Sequence, residues 1–420
     1  MAPAGNKGKR KQNPNRKGSD ISDSKTTDDR TGPHASRTGL RELDPGAPPE
    51  LQQLLLNVFH YTFLDQFNDS LSKIIQEVKQ HLFNRDFTHA FGTQAFLDAY
   101  AMRWSPSRAL AYLDIFNNLF KTRMDLQAYS FRLHRDFSDK AEERDTSVTS
   151  SPQAFPSRLQ HDGTTNQIKV LSLGGGAGAE VVALAGLLCD IGRSVKSFGP
   201  TNGDLRQPQM VIEVTAVDIA DWSSIIARLN ASLTTTLAVP GHALSGVAND
   251  IASNLGHDSF HVKFEQHDLL KMEVSQMRPL LQDCTLVTFM FTLNELYSTS
   301  LNDTTKCLLS ITDLIQQGSL LLVVDSPGSY STVNIGKDAK SQAIQKQKGP
   351  SAQREYPMFW LLDHTLLHTA VEGAGKLGNQ ERQWEKLQED DSKWFRLPRG
   401  LKYPIEIESM RYQIHLYRRL

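Results

Sequence analysis

The run VLSLGGGAGAEVVALAG, residues 170–186, constrains this 420-residue chain more than any other segment. Ile168 to Leu173 is a short apolar strand candidate, and Val181 to Ile191 is apolar on a helical period. Between them Gly174, Gly176 and Gly178 let the backbone turn sharply and open its N–H groups to a ligand, where any side chain would obstruct the approach. A glycine-rich turn without a ligand is the plain alternative. The strand before it and the helix after it argue for a site.

The alternation continues downstream. Strands are expected at 210–217, 260–266, 285–291 and 319–325, with helices at 221–236 and 301–316. Apolar strands alternating with helices predict an α/β fold, a parallel sheet with helices on both faces. Pro404 to Arg418 alternates at period two and reads as antiparallel edge strand. Upstream the pattern differs. Apolar residues recur at helical intervals from Leu51 to Leu82, and Ser105 with Pro106 forms an N-cap and first-turn pair ahead of another apolar face. Residues 50–135 are therefore expected to be an α-helical N-terminal module, residues 136–167 a polar linker and residues 168–420 the domain holding the sheet. Residues 1–48 carry too few large apolar side chains to offset their ordering entropy and read as a disordered basic tail. Polar inserts are expected at 192–209, 240–258 and 327–355.

Composition narrows the classes further. No apolar run approaches the ~20 residues of a bilayer-spanning helix. The cysteines, Cys189, Cys284 and Cys307, are scattered rather than spaced for a disulfide framework or a zinc site, which predicts a reducing interior compartment and no structural metal. The N-terminus lacks the apolar core of a secretory signal. The balance of 46 basic against 47 acidic residues conceals residues 1–17, which hold Lys7, Lys9, Arg10, Lys11, Arg16 and Lys17 and no acid. Such a run suits a polyanion contact or a nuclear localisation signal.

Two cofactors fit the glycine turn. Gly174, Gly176 and Ala179 satisfy a GxGxxA dinucleotide fingerprint, whereas Gly174, Gly176 and Gly178 fit the GxGxG turn of S-adenosylmethionine (SAM) enzymes. Asp218 closes the second strand, where a carboxylate accepts hydrogen bonds from both ribose hydroxyls, or else caps a helix starting near Asp221. Asp268 ends the third strand and is followed by Leu269, a pairing suited to an adenine amino group beside an apolar face. This third acid favours SAM. In FTLNELYS, residues 291–298, Asn294 would orient a base edge, Glu295 would accept a proton, and Tyr297 would stack on a flipped-out base. The alternative there is a helix start capped by Asn294. In YAMRWSPSRA, Tyr100, Arg103, Trp104 and Arg108 would cover the cofactor or contact RNA, unless Trp104 is simply packed and the arginines solvated. Lys337, Lys340, Lys346 and Lys348 make a basic loop after the strand ending at Asp325, which would add RNA contacts.

VLSLGGGAGAE, TAVDIADW, HDLL, FTLNELYS and RWSPSRA together resemble the fungal large-subunit rRNA uridine-N3 methyltransferases, a branch of the class I SAM-dependent enzymes, over roughly residues 51–420. The resemblance implies a seven-stranded Rossmann-like class I methyltransferase sheet with a helical N-terminal extension, acting on one uridine of 25S rRNA. It implies SAM held by Gly174, Gly176, Gly178, Asp218 and Asp268, with Asn294 and Glu295 bordering the target base. Two departures stand out. Ser172 replaces the acid that many such enzymes carry before the glycine turn, and Gly178 lies further from Asp218 than the ~20 residues usual between glycine turn and ribose acid. No cysteine lies near FTLNELYS, which disfavours carbon-5 chemistry and agrees with a nitrogen target. The expected partner is large-subunit rRNA or a preribosome and no membrane. The expected location is the nucleus or nucleolus, with the cytoplasm also open. Methylation of a protein or small molecule, and an inactive ribosome-assembly factor that only binds RNA, are the alternative readings.

Overall fold

A computed structural model of the chain describes residues 46–121, 165–197, 209–234, 251, 255, 258–328, 330–333, 354–372 and 381–420. Its main sheet has seven strands: β1 (Thr165–Leu173), β2 (Gln209–Asp218), β3 (Phe260–Gln266), β4 (Leu286–Met290), β5 (Leu320–Asp325), β6 (Trp384–Phe395) and β7 (Met410–Arg419). The order across the sheet is β3-β2-β1-β4-β5-β7-β6. Strands β1 to β5 pair in parallel, β7 runs antiparallel to β5, and β6 antiparallel to β7. This is the Rossmann-like architecture the resemblance implies.

The central strands are apolar because both faces are covered. Every residue of β4 and of β5 is buried, and the pleat sends alternate side chains into two separate cores. Val170, Ile212, Val214 and Leu322 join one core with helices α1 (Pro49–Thr62), α2 (Leu71–Phe83), α4 (Gln94–Arg103), α5 (105–121), α6 (Ala179–Ser197) and α7 (Ser223–Thr234), the short α3 (Phe87–Ala90) lying between α2 and α4 in the chain. Leu171, Leu173, Val287 and Val323 join the other with α8 (Val274–Leu281), α9 (Leu293–Thr299), α10 (Leu301–Leu314) and α11 (Met358–Asp363). The N-terminal helices thus share a core with the sheet. A side chain at Gly186 of α6 would come within 2.8 Å of Leu55 of α1 and 3.4 Å of Leu113 of α5, which shows how closely these layers pack.

Two expectations are corrected. The segment read as an edge strand contains β7, which lies inside the sheet, and its residues from Tyr412 to Tyr417 are buried. The edge on this side is β6, WEKLQEDDSKWF, which sequence patterning did not identify; β3 forms the other. The exposed side chains of β6 include Glu385, Glu389 and Asp391, and its pairing is broken by register shifts at Lys386/Gln388 and Asp390/Lys393, both of which protect an exposed edge from further pairing. The polar stretch read as a linker ends earlier than expected, because residues 165–167 already belong to β1; residues 136–164 lie outside the described residues, as do residues 1–45 of the tail. Within the insert at 327–355, Tyr330–Val333 pairs antiparallel with Arg354–Pro357. The basic loop holding Lys337, Lys340, Lys346 and Lys348 lies outside the described residues.

Candidate functional site

Strand β1 pairs with β2 on one side and β4 on the other, so the chain order reverses between β1 and β4. A crevice opens at the carboxyl ends of strands at such a reversal. Gly174 leaves β1 with φ +80°, a conformation that side chains disfavour, and its N–H donates to the Val217 carbonyl at 2.7 Å. A Cβ there would lie 2.2 Å from Thr292, so the glycine turn after β1 touches the segment after β4. A Cβ on Gly176 would lie 2.0 Å from the Trp222 ring, and one on Gly178 2.3 Å from Leu229. Each glycine therefore has a packing requirement of its own beside any ligand's. Ser105, expected to cap α5, instead donates its hydroxyl to the Ala177 carbonyl at 2.8 Å and tethers the turn to the N-terminal helices.

Asp218 ends β2 beneath this turn. Its carboxylate accepts from the Gly176 N–H at 3.2 Å and from the Ala220 N–H at 3.1 Å. Burial pushes its pKa up, and these backbone donors oppose the rise. It does not cap α7, since the Ser223 N–H donates to Asp221. The loop after β3 lies alongside, because the His267 N–H donates to the Asp218 carbonyl at 2.9 Å. Asp268 there accepts from the Leu270 N–H and pairs with Lys271 at 2.7 Å, while Leu269 is buried. Ile219, directly after Asp218, is 60% exposed, a large apolar side chain left uncovered at the mouth of the site. Sequence reading overlooked it.

Asn294 and Glu295 lie in the first turn of α9, so the helix-start alternative holds as local structure, with Thr292 rather than Asn294 at the cap. The Asn294 N–H donates to Asp325 at 3.1 Å, and burial pushes the Asp325 carboxyl up to about 6. Asn294 Oδ1 and Glu295 Oε2 are buried acceptors with no hydrogen-bond partner among the described residues. Burial raises the Glu295 pKa, and the Arg85 guanidinium opposes it.

The other candidates divide. Tyr297 is 3% exposed in the core beside Thr365 and Cys307, which removes it from any stacking role. Arg103 is buried and paired with Glu408. Arg108 donates to the Tyr100 hydroxyl at 2.6 Å and stands 4.8 Å from the Phe291 ring centre. Neither arginine is solvated. Tyr100 packs on Trp104 and Trp222 at ring separations of 4.9 and 5.7 Å, and Phe91 on Trp222 at 5.4 Å, so aromatic side chains from α4 and the α3–α4 turn cover the glycine loop. An apolar cavity lined by Phe116, Leu184, Leu286 and Leu320 lies at the other end of the strands, where β4 and β5 begin.

Sequence reading also missed Glu180. It is buried in the first turn of α6, its carboxylate accepts from the Ser172 hydroxyl at 3.1 Å, and Arg108 lies near enough to favour its charge. A carboxylate thus stands beside Ser172 after all, carried by α6. Burial outweighs these contacts and pushes Glu180 up to about 7 from an ordinary 4.5. A carboxyl whose pKa is raised on folding binds its proton more tightly in the native state, so stability is lost as pH climbs from about 4.5 to about 7. The loss amounts to roughly 3 kcal/mol at 1.36 kcal/mol per unit. Glu180→Gln is expected to flatten this pH dependence in urea unfolding compared between acid and mildly alkaline buffers; unchanged slopes would show that Glu180 is not the group responsible.

Over residues 59–418 the chain matches the model of a family described as "Putative SAM-dependent methyltransferase". The 25S rRNA (uridine(2843)-N(3))-methyltransferase of Saccharomyces cerevisiae is 28% identical over 376 residues, 87% of this chain and 85% of the yeast protein. Among solved structures, a SAM-dependent methyltransferase of Methanosarcina mazei aligns at 10% identity with a TM-score of 0.31, over 64% of this chain and 99% of its own. Magnesium protoporphyrin IX methyltransferase of Synechocystis PCC 6803, solved with bound SAM, aligns at 10% identity with a TM-score of 0.28, over 60% of this chain and 71% of its own.

Proposed function

The chain belongs to this family of SAM-dependent methyltransferases, and on that premise we propose that it methylates N3 of a uridine in large-subunit 25S rRNA, the reaction for which its yeast relative is named. One observation carries the reading: two buried acceptors, Asn294 Oδ1 and Glu295 Oε2, lack partners among the described residues and lie one turn of chain beyond Thr292, which packs against the glycine turn. Leaving a buried acceptor unpaired costs about 1–3 kcal/mol. The uracil N3–H is a donor that relieves one of them.

The residues present suit SAM. The Gly176 and Ala220 N–H groups hold the Asp218 carboxylate in place, and a carboxylate, able to accept several hydrogen bonds, suits the vicinal ribose hydroxyls. Ile219 supplies apolar surface for adenine, and Asp268 supplies an acceptor for its amino group. SAM, when bound, supplies a methyl group on a sulfonium. The chain's own part is positioning: Asn294 holds the base edge, Glu295 or water takes the imino proton, and Phe91, Tyr100 and Trp222 keep bulk water from the turn. A uridine reaches such a recess only when swung out of its stack. In this reading residues 168–420 are the catalytic domain, the helices before them its cover, and the location nuclear or nucleolar, with free rRNA or a preribosome as substrate.

The test is nucleoside mass spectrometry of rRNA from cells lacking the chain. Loss of 3-methyluridine, restored by the full-length protein, is expected. Full retention of that nucleoside would overturn the substrate assignment and turn attention to protein or small-molecule acceptors.

A further inference from the structure

We propose that His81, Asp86 and His89 form a binding site for a divalent transition-metal cation of the zinc type. The three residues sit where α2 hands over to α3. His81 occupies the last turn of α2, Arg85 turns the chain with φ +55°, Asp86 precedes α3, and His89 lies within it. Asp86 faces both rings at once: Oδ2 is 3.2 Å from His81 Nδ1, and Oδ1 is 2.8 Å from His89 Nδ1. All three ligand atoms lie within 4.8 Å of one another, and the imidazoles stack at 5.5 Å with an angle of 16° between their planes.

Zinc bound tetrahedrally at about 2.0–2.2 Å from N and O ligands sets ligand-to-ligand separations of roughly 3.3–3.5 Å. The carboxylate-to-imidazole separations of 3.2 and 2.8 Å fall just below that range and the third pair lies within 4.8 Å, so small rotations of exposed side chains suffice to admit the ion. Two imidazole nitrogens and one carboxylate oxygen suit zinc, cobalt or nickel, whereas magnesium and calcium prefer oxygen alone. Side-chain exposures of 31%, 36% and 72% leave the site open to solvent, which can fill the fourth position. Capping does not explain the arrangement. Asp86 caps α3 by accepting from the His89 N–H at 3.3 Å, a role that needs neither imidazole and gives no reason for His81 to converge from another helix.

The placement gives the ion a consequence. His81 and Asp86 bracket Arg85, whose charge acts on Glu295, and Phe91, two residues beyond His89, packs on Tyr100 and Trp222. A bound cation would fasten α2 to α3 beside the glycine turn. It would act as a structural clasp, independent of which substrate is methylated.

The test compares the full-length chain without an affinity tag to a His81→Ala/His89→Ala variant, by calorimetric titration with Zn2+ and by Co2+ absorption spectroscopy. The expected result is one more zinc equivalent in the parent than in the variant, a cobalt ligand-field band confined to the parent, and a zinc-dependent rise in melting temperature lost in the variant. Asp86→Asn, which keeps a cap acceptor but loses the charge, should weaken zinc binding at least tenfold while melting normally without metal. Equal zinc stoichiometry and equal melting shifts in parent and double variant would overturn the site, as would saturation by Mg2+ in place of Zn2+.

Discussion

Asp218→Ala is expected to lower affinity for SAM by roughly 10²- to 10⁴-fold, the loss of two charge-assisted hydrogen bonds at about 1.5–3 kcal/mol each. Both ribose hydroxyls lose their acceptor at once. The Gly176 and Ala220 N–H groups lose theirs too, so the turn that shapes the cofactor site slackens. Asp218→Asn separates the two effects. An amide keeps one carbonyl oxygen but turns an NH2 group toward a backbone or ribose donor, so it should bind SAM nearly as poorly as the alanine variant while retaining more of the fold. Calorimetry gives the affinity and thermal unfolding the control. A folded Asp218→Asn protein that binds SAM as the parent does would remove Asp218 from the cofactor site.

The parts of this architecture legible in the sequence are those whose signal is local. Strands β4 and β5 read clearly because a strand buried on both faces must be a continuous apolar run; the third, expected at 260–266, is Phe260–Gln266 and keeps the alternating burial of a half-covered strand. The end of such a run is equally visible, which is why Asp218 and Asp268 were found from position alone. Strand β6 was not legible because its charges and its two register shifts erase the alternation used to recognise strands, which the opposite edge strand, β3, keeps. Tyr297 was misjudged for a different reason. Once 293–299 is read as a helix, Leu293 and Tyr297 fall four residues apart on one face, and that face is buried.

Glu180, Arg108 and Asp325 were illegible as a group because nothing in the chain order joins them. They come from α6, α5 and the end of β5, and meet only after the N-terminal helices dock on the sheet. Arg108 lies between two carboxyls that burial makes reluctant to ionise, and it favours the charged form of each. The same docking brings Ser105 to the glycine turn and the aromatic rings to Trp222. Residues preceding the sheet therefore shape the site as much as those within it.

Glu295→Gln is expected to slow single-turnover methylation by roughly 10²- to 10⁴-fold with SAM saturating, the usual contribution of a positioned general base. The substitution preserves shape and one acceptor but removes the capacity to take a proton. SAM affinity should hold, since Asp218 and the glycine turn are untouched, so the loss falls on the chemical step. The pH profile supplies the more telling readout. Burial raises the Glu295 pKa, which makes its anion a stronger base toward the weakly acidic imide N–H and places its ionisation above the ordinary glutamate range. In the parent the rate should rise with pH as that proton is lost, and in the glutamine variant this limb should vanish. Identical rates would exclude Glu295 from proton transfer. A slower variant that kept the same acid limb would instead assign the ionisation to another group, with Asp325, buried at about 6 beneath Asn294, the nearest carboxyl able to produce it.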